Sequence, residues 1–301
     1  MDWAVPAGTG WLYSFRHRTH MRAESPGADK VDQHRDSTYP GQQRRGSANG
    51  GTVKAALRQN RLLFAYQPVV CATTGVVDYF ECLLRMRDEA GNILAGAEFI
   101  TAVEHSGLIG LVDRFVLEKA VRDLGTHPEV RLGFNVSSLT ACDRAWLRTL
   151  LSRLRNRPEL ARRLMVEITE TAALGDIEES ARFVDTLRDA GCRVALDDFG
   201  AGHTSLRHLQ SLAVDTVKID GSFIRNLAGS PENRIFLRHL LGLTKSFGLR
   251  TIAECVETAE DAAMLRAEGI DYLQGYHTGA PTIERQWLAN LPPGTTKETV
   301  A

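Results

Sequence analysis

Apolar residues in this chain recur in short runs, and longer stretches with a helical period separate most of those runs. The runs are rich in β-branched and aromatic residues, which is typical of buried strands. They predict eight strands, near residues 64–70, 76–85, 131–137, 164–170, 192–199, 216–220, 250–256 and 271–276. Helical periodicity is clearest over 113–121, 181–187 and 231–247. Strands that alternate with helices predict an α/β fold, a (β/α)8 TIM-like barrel.

The connection between the first two predicted strands is the exception to this alternation. Only the segment from Cys71 to Gly75 lies between them, which is too short for a crossover helix. Strands joined so closely pair as an antiparallel hairpin. We therefore expect a barrel with an antiparallel first strand.

The ends of the chain have a different pattern from its middle. Residues 1–51 show no sustained period and are rich in Gly, Pro, Ser, Arg and Gln, so we expect a disordered or poorly ordered N-terminal tail. Residues 52–292 form the predicted barrel, and 293–301 a C-terminal tail. A barrel of this length is one large domain.

Charge and cysteine content narrow the picture only slightly. The chain has 36 Lys and Arg against 37 Asp and Glu, a balance that gives no reason to expect nucleic-acid polymers or membranes as main partners. No apolar run reaches the roughly 20 residues that span a bilayer, and we expect a cytoplasmic protein. The five cysteines are scattered, which argues against disulfides or a zinc site.

Polar side chains follow the predicted strands where each strand ends. In a barrel these ends meet at one face, and seven residues would converge there: Asn135, Glu167, Asp197, Asp198, Lys218, Glu254 and Gln274. Any one of them alone could equally cap the next helix, but agreement between so many strand ends favours a shared site. Two adjacent acids, Asp197 and Asp198, are costly to bury together unless a cation or a proton compensates them.

The candidate ligands are mostly carboxylate oxygens with one amide, and no Cys or His cluster accompanies them. Such a set suits Mg²⁺ or Mn²⁺ better than a tetrahedral zinc ion. There are enough acids for two ions, and two ions with a nearby lysine can hydrolyse a phosphoester. The expected substrate is an anionic phosphate ester.

These residues lie in ordered motifs that resemble those of the EAL-domain cyclic di-GMP phosphodiesterases, from about residue 55 to 290. The motifs are 66–68 (YQP), 81–85 (ECLLR), 135–137 (NVS), 167–170 (EITE), 197–202 (DDFGAG), 218–220 (KID), 253–257 (AECVE) and 274–276 (QGY). The resemblance implies hydrolysis of cyclic di-GMP to linear pGpG by two divalent ions, Mg²⁺ or Mn²⁺.

The resemblance also implies a role for each matching residue. The metal ligands would be Glu81, Asn135, Glu167 and Asp197 for the first ion, and Asp197 as a bridge with Asp198 and Glu254 for the second. Lys218 would orient the attacking water, and Glu254, Glu257 and Gln274 would complete the catalytic centre. Gln67, Arg85 and Asp220 match substrate-binding positions. Glu170 would steady the loop after Asp198, the segment Phe199 to Leu206 that in the family couples the active site to a dimer interface, so a homodimer is expected.

The chain departs from the family pattern at a few positions. Cys82 replaces an alanine, Cys255 replaces a glycine, and residues 277–280 lack the usual aromatic and arginine. Alternation along a strand would point both cysteines away from the adjacent glutamates. Two alternatives to an active phosphodiesterase stay open: a non-catalytic cyclic di-GMP receptor that signals through partners, and a barrel hydrolase for another phosphate ester.

Overall fold

Nine strands form a single sheet in the computed structural model, which describes residues 50–141, 143–200 and 206–290. They are β1 (Leu62–Cys71), β2 (Val77–Arg87), β3 (Ile93–Ala95), β4 (Leu132–Val136), β5 (Leu164–Thr169), β6 (Arg193–Phe199), β7 (Thr216–Ile219), β8 (Arg250–Ala253) and β9 (Tyr272–Leu273). The order is β1-β9-β8-β7-β6-β5-β4-β2-β3, and a further pairing of β1 with β2 closes the sheet. Eight strands thus make a barrel, and β3 is added to the outside of β2.

Helices surround the barrel and cover its outer surface. They are α1 (Gly50–Arg58), α2 (Ile100–His105), α3 (Ile109–Thr126), α4 (Ser138–Ala141), α5 (Arg144–Leu154), α6 (Pro158–Ala161), α7 (Glu170–Gly175), α8 (Ile177–Asp189), α9 (Leu206–Ser211), α10 (Gly221–Ile224), α11 (Pro231–Ser246) and α12 (Ala259–Glu268). Short 3-10 helices occupy 96–98, 227–229 and 286–290. The predicted (β/α)8 TIM-like barrel is confirmed.

The reversed strand is β1, which pairs antiparallel with both of its neighbours, β2 and β9. The turn to β2 is closed by the Gly75 amide, which donates to the Cys71 carbonyl at 2.8 Å. Gly75 has φ +71°, a left-handed conformation that glycine adopts without steric cost. The prediction of an antiparallel hairpin from the short connection is confirmed.

Side-chain caps mark where the longer helices begin. Asp176 accepts a hydrogen bond from the Glu179 amide at the start of α8, and Ser230 does the same for Asn233 at the start of α11. Thr258 caps α12, which ends at Gly269 in the left-handed conformation. Each cap satisfies a backbone group that has no partner within the helix, so the sequence fixes these boundaries locally.

A buried ionic group ties the last described segment to the barrel. Tyr66 donates to Asp123 Oδ2 at 2.6 Å, Arg285 Nη2 donates to Asp123 Oδ1 at 2.8 Å, and Lys119 Nζ lies 3.2 Å from Asp123 Oδ2. Trp287 packs edge-on against the Tyr66 ring with centroids 4.8 Å apart. We refer to Tyr66, Lys119, Asp123 and Arg285 as the Asp123 cluster. One carboxylate is compensated there by two cations and a hydroxyl.

Three details of the strand predictions were wrong. The run 250–256 is a strand only as far as Ala253, the run 271–276 is a strand only over Tyr272–Leu273, and β3 was not predicted. Polar residues 254 and 257 follow β8 instead of continuing it, so periodicity alone overextended that strand. The expected tails, 1–51 and 293–301, lie almost wholly outside the described residues and stay predictions. None of the helices in the described ranges has the length and apolar content needed to cross a bilayer.

Candidate metal centre

Inward-facing positions of the barrel form an apolar layer followed by a polar layer. The apolar layer contains Val69, Tyr79, Met165, Ala195 and Ile252. The polar layer lies two residues away along each strand, at the next inward-facing position. It contains the buried residues Gln67, Glu81, Glu167, Asp197 and Glu254. The period of two thus places four carboxylates and an amide in one layer of the barrel interior.

Lys218 lies at the centre of this polar layer and is completely buried. Its Nζ is 2.7 Å from Glu167 Oε2 and 2.7 Å from Glu254 Oε1. It is also 3.2 Å from Glu81 Oε2 and 3.3 Å from Asp197 Oδ1. Four buried carboxylates therefore share one ammonium group, which leaves negative charge uncompensated.

Two amide side chains complete the layer. Asn135 Nδ2 donates to Glu81 Oε1 at 2.7 Å, and Gln274 Nε2 donates to Glu81 Oε2. The remaining oxygens, Asn135 Oδ1 and Gln274 Oε1, are buried and accept no hydrogen bond from the described residues. Asp197 Oδ2 is likewise buried and accepts no hydrogen bond from the described residues. Buried oxygens without a donor are costly, and a cation is the partner that would satisfy them.

Asp198 joins the cluster through an unusual backbone conformation. In an extended strand, consecutive side chains point to opposite faces, but Asp198 has φ +57°. This left-handed residue breaks the alternation at the end of β6. Carboxylate oxygens of Asp197, Asp198 and Glu254 consequently lie within 4.8 Å of one another, a spacing that can hold a metal ion. We refer to Glu81, Glu167, Asp197, Asp198 and Glu254 as the carboxylate cluster.

The charge imbalance shifts the protonation of these groups. Burial, together with the negative charge of Glu81, raises the pKa of Glu167 to about 8. Burial and Asp197 raise the pKa of Asp198 to about 8. Burial acts to lower the pKa of Lys218, but the surrounding carboxylates outweigh it and hold this pKa well above its ordinary value. Raised pKa values favour the protonated carboxyl groups, and a divalent cation would displace these protons.

The layer fits divalent ions by its donor set as well as its charge. Carboxylate and amide oxygens are the ligands that Mg²⁺ and Mn²⁺ prefer. Among the described residues, the group whose atoms are close enough to hold an ion consists of acids alone, without Cys or His. The residues predicted as metal ligands, Glu81, Asn135, Glu167, Asp197, Asp198 and Glu254, therefore meet where the sequence placed them.

Sequence reasoning missed two residues that support the cluster. The buried Tyr79 hydroxyl donates to Glu167 Oε1 at 3.0 Å. A Cβ on Gly133 would lie 2.5 Å from the Tyr79 ring and 2.6 Å from Glu167 Oε1, so only glycine leaves room for this hydrogen bond. Tyr79 precedes Glu81 by two residues in β2, and the inward alternation of that strand was the signal that identifies it.

The other predicted site residues surround the polar layer. Gln67 is buried and accepts from Gln274 Nε2 at 3.3 Å. Arg85 is half-buried and donates to the Leu84 carbonyl at 2.9 Å, and burial lowers its pKa although Glu81 opposes this effect. Asp220 Oδ1 accepts from the Ser222 amide and thereby caps α10.

Two predicted roles concern residues just outside the layer. Glu170 Oε2 accepts from the Gly200 amide at 3.1 Å, which is the contact expected of a residue that steadies the chain after Asp198. The rest of that loop, 201–205, lies outside the described residues. Glu257 is exposed, and its Oε1 lies 3.5 Å from Arg225 Nε. The structure does not bring Glu257 into contact with Lys218, so its catalytic role stays a prediction.

The two cysteines differ in where they point. Cys82 belongs to the apolar core outside the barrel, away from Glu81, as alternation along the strand predicts. Cys255 lies beyond the end of β8 with φ +54°, and it lines the same cleft as Glu254. Because β8 ends at Ala253, strand alternation does not reach Cys255, and its direction relative to Glu254 stays a prediction.

The buried, oxygen-rich centre lies at the carboxyl ends of the parallel strands, the face at which barrel enzymes place their active sites. The model of the EAL domain family matches residues 51–281 of this chain. The chain is therefore a member of the EAL domain family.

Individual relatives agree with this membership. Cyclic di-GMP phosphodiesterase NbdA of Pseudomonas aeruginosa is 30% identical to the chain, and the match covers 76% of the chain and 30% of NbdA. The PaMucR phosphodiesterase in its c-di-GMP complex superposes with a TM-score of 0.73 at 28% identity, over 79% of this chain and 98% of that one.

A second solved structure is also similar. The FimX EAL domain from Pseudomonas aeruginosa bound to c-di-GMP has a TM-score of 0.73 at 27% identity, over 78% of this chain and 96% of that one. The chain spans 28–30% of the length of NbdA and other curated relatives that it matches, so their whole-protein activities include regions without a counterpart here.

Proposed function

We propose that this chain hydrolyses cyclic di-GMP to linear pGpG with the help of two divalent metal ions. The observation that carries the proposal is the carboxylate cluster, whose acids outnumber the single buried lysine. Asp197 Oδ2 and the neighbouring Asn135 Oδ1 and Gln274 Oε1 are buried and accept no hydrogen bond from the described residues. Such an imbalance is costly to a fold unless it binds cations. The family membership supports the choice of substrate.

The residues divide into two ligand groups. Glu81, Asn135, Glu167 and Asp197 would hold one ion, and Asp197, Asp198 and Glu254 the other. When bound, two ions supply a nucleophile from water, neutralise the phosphate and stabilise the leaving oxygen. Mg²⁺ or Mn²⁺ is the expected cofactor, since the ligands are hard oxygen donors.

The protein's own groups then position the reactants. The Lys218 ammonium is held by four carboxylates and has little freedom, so it can orient a water at a fixed point next to Glu254. Gln274 and Gln67 form a hydrogen-bonded pair on the adjoining wall. Arg85 and Asp220 lie at the edge of the site, where a guanidinium suits the phosphate of the substrate.

The proposal is tested by incubating the purified chain with cyclic di-GMP and Mg²⁺ or Mn²⁺, and by following pGpG with chromatography. We expect turnover with either ion and none after chelation. Binding of cyclic di-GMP without hydrolysis would replace the enzyme with a receptor. Hydrolysis of other phosphate diesters in preference to cyclic di-GMP would show that the substrate is wrong.

We further propose that the active form is a homodimer that pairs through α11 and the chain after Asp198. Ile235 and Phe236 on α11 are exposed at 57% and 38%, and Phe236 stacks on Phe223 with ring centroids 4.2 Å apart. A Cβ on Gly200 would lie 3.1 Å from Phe223, so this apolar face adjoins the segment that leaves the metal centre. Light scattering of the parent and of Phe236→Asp tests the pairing; a monomeric parent would refute it.

A further inference from the structure

An arginine that the sequence analysis did not single out stands at the mouth of the metal centre. Arg225 follows the short helix α10 and lines a cleft with Glu254, Gln274, Glu257 and Tyr276. Its side chain is 42% exposed, so it can meet a ligand without losing a buried partner. The predicted metal ligand Glu254 and the predicted catalytic residue Gln274 line the cleft together with the Arg225 guanidinium.

Arg225 is held in place by two contacts. Its Nη2 donates to Cys255 Sγ at 3.1 Å, and its Nε lies 3.5 Å from Glu257 Oε1. Its Nη1 makes no hydrogen bond within the described part of the chain. The guanidinium is thus oriented while one of its nitrogens stays available for a ligand.

Cys255 can occupy this position only because Gly221 lies opposite. A Cβ on Gly221 would come 2.5 Å from Cys255 Sγ and 2.7 Å from its Cβ, so any larger residue at 221 would displace the thiol. Cys255 also adopts φ +54°, which carries a steric cost for a residue other than glycine. Gly221 thus leaves room for the Cys255 thiol, and the thiol in turn fixes the position of the Arg225 guanidinium.

We propose that Arg225 and Glu257 read the edge of the guanine base and so select guanine over adenine dinucleotides, and that Cys255 positions Arg225. A guanidinium beside a carboxylate presents hydrogen-bond donors next to acceptors. Guanine offers the complement, with O6 and N7 as acceptors and the N1 and N2 hydrogens as donors, whereas adenine has a donor at N6. The exposed Tyr276 ring provides a surface on which a base stacks. This inference rests on the proposed function and places Glu257 at the base instead of at the reacting phosphate.

The test compares steady-state hydrolysis and calorimetric binding of cyclic di-GMP and cyclic di-AMP by the full chain. For Arg225→Gln we expect KM for cyclic di-GMP to rise about tenfold, and the ratio of kcat/KM for the two substrates to fall about tenfold. The kcat for cyclic di-GMP should stay within about twofold, since uniform binding is lost and not transition-state stabilisation. Glu257→Gln should lower the same ratio.

The matched control is Arg238→Gln, which breaks another exposed Arg–Glu pair, with Glu268 at 2.6 Å, but lines no part of the cleft. It should leave both substrates unchanged. Cys255→Gly should raise KM for cyclic di-GMP, whereas Cys255→Ser should retain the parent value because its hydroxyl accepts the same hydrogen bond. A Cys255→Gly variant with the parent KM would refute the positioning role.

The outcomes separate two failures. A parent that hydrolyses cyclic di-GMP, together with an Arg225→Gln variant of unchanged KM and unchanged ratio, would overturn base reading and leave the proposed function intact. A fall in kcat at constant KM would also overturn base reading. A parent that neither binds nor hydrolyses cyclic di-GMP would refute the proposed function and the inference with it.

Discussion

The Asp123 cluster and the carboxylate cluster are both buried groups of charges, but their balance is opposite. In the first, one carboxylate contacts two cations and a hydroxyl, and each carboxylate oxygen has a donor. In the second, four carboxylates contact one lysine, and Asp197 Oδ2 has no donor among the described residues. A buried group with balanced charges holds a chain segment in place, whereas a group with excess negative charge can still bind a cation. The surplus of charge, and not the burial of charge, distinguishes a site from a structural tie.

The strongest test of this comparison is Asp197→Asn. Loss of a shared ligand charge should lower cyclic di-GMP hydrolysis by at least about 10²-fold, the scale seen when one charge-stabilising group is removed from an active site. The same change removes a surplus buried charge, so the metal-free variant should melt no lower than the parent. Asp143→Asn, at an exposed helix cap that asparagine also serves, is the control. Activity within a few-fold of the parent would contradict the bridging role of Asp197.

The balanced group should respond in the opposite way. Asp123→Asn leaves the charges of Lys119 and Arg285 without their carboxylate and should destabilise the protein by about 3 kcal/mol, as expected for breaking a buried pair. The folded fraction should keep the parent kcat, because Asp123 contacts no member of the carboxylate cluster. Urea unfolding in the presence of Mg²⁺ measures the free energy. A loss of kcat with normal stability would show that the two groups are coupled.

The unbalanced group should also make stability depend on pH when metal is absent. The folded-state pKa of Glu167 and of Asp198 is about 8, above their ordinary values of about 4. Raised folded pKa values favour the folded state at low pH, and this contribution is lost as the pH rises through 8. The chelated protein should therefore melt a few degrees lower at pH 8 than at pH 6, and Mg²⁺ should raise the melting temperature more at pH 8. Glu167→Gln should reduce both differences; a Mg²⁺ effect larger at pH 6 would oppose this account.

The smallest effect is expected at the periphery of the balanced group. The Lys119 side chain is 21% exposed. When the Lys119 charge is removed, Arg285 still compensates the Asp123 carboxylate. Lys119→Met keeps the side chain over the Phe64 ring and should cost less than about 1 kcal/mol, in line with other partly exposed ion pairs. The free energies of unfolding of Lys119→Met and Asp123→Asn, both measured in urea, then show how much of the stability depends on the carboxylate and how much on Lys119. Equal losses in the two variants would mean that Lys119, and not Arg285, balances Asp123.

Strand alternation made much of the barrel and its centre predictable. Inward positions such as Glu81 and Glu167 follow from the period of two, and the short hairpin before Val77 revealed the reversed strand. The alternation fails where the backbone turns left-handed, at Asp198 and Cys255, so the direction of Cys255 was not predictable from the pattern.

Long-range contacts were also beyond the pattern. The Tyr66–Asp123 hydrogen bond joins residues 57 positions apart, and Arg225 meets Cys255 across 30 positions. Neither pair leaves a periodic trace in the sequence, because each depends on how a helix or a loop is placed against a strand. The role of Gly133 likewise becomes apparent only when Tyr79 and Glu167 are seen on either side of it.

The position of Lys218 has a consequence for how the protein is made. Many small metal domains stay unfolded until their metal binds. Here a covalently attached ammonium already sits among four carboxylates, so the barrel can close around its own counter-ion. Synthesis and metal loading then become separate events. A divalent ion would then enter a cavity that is already formed.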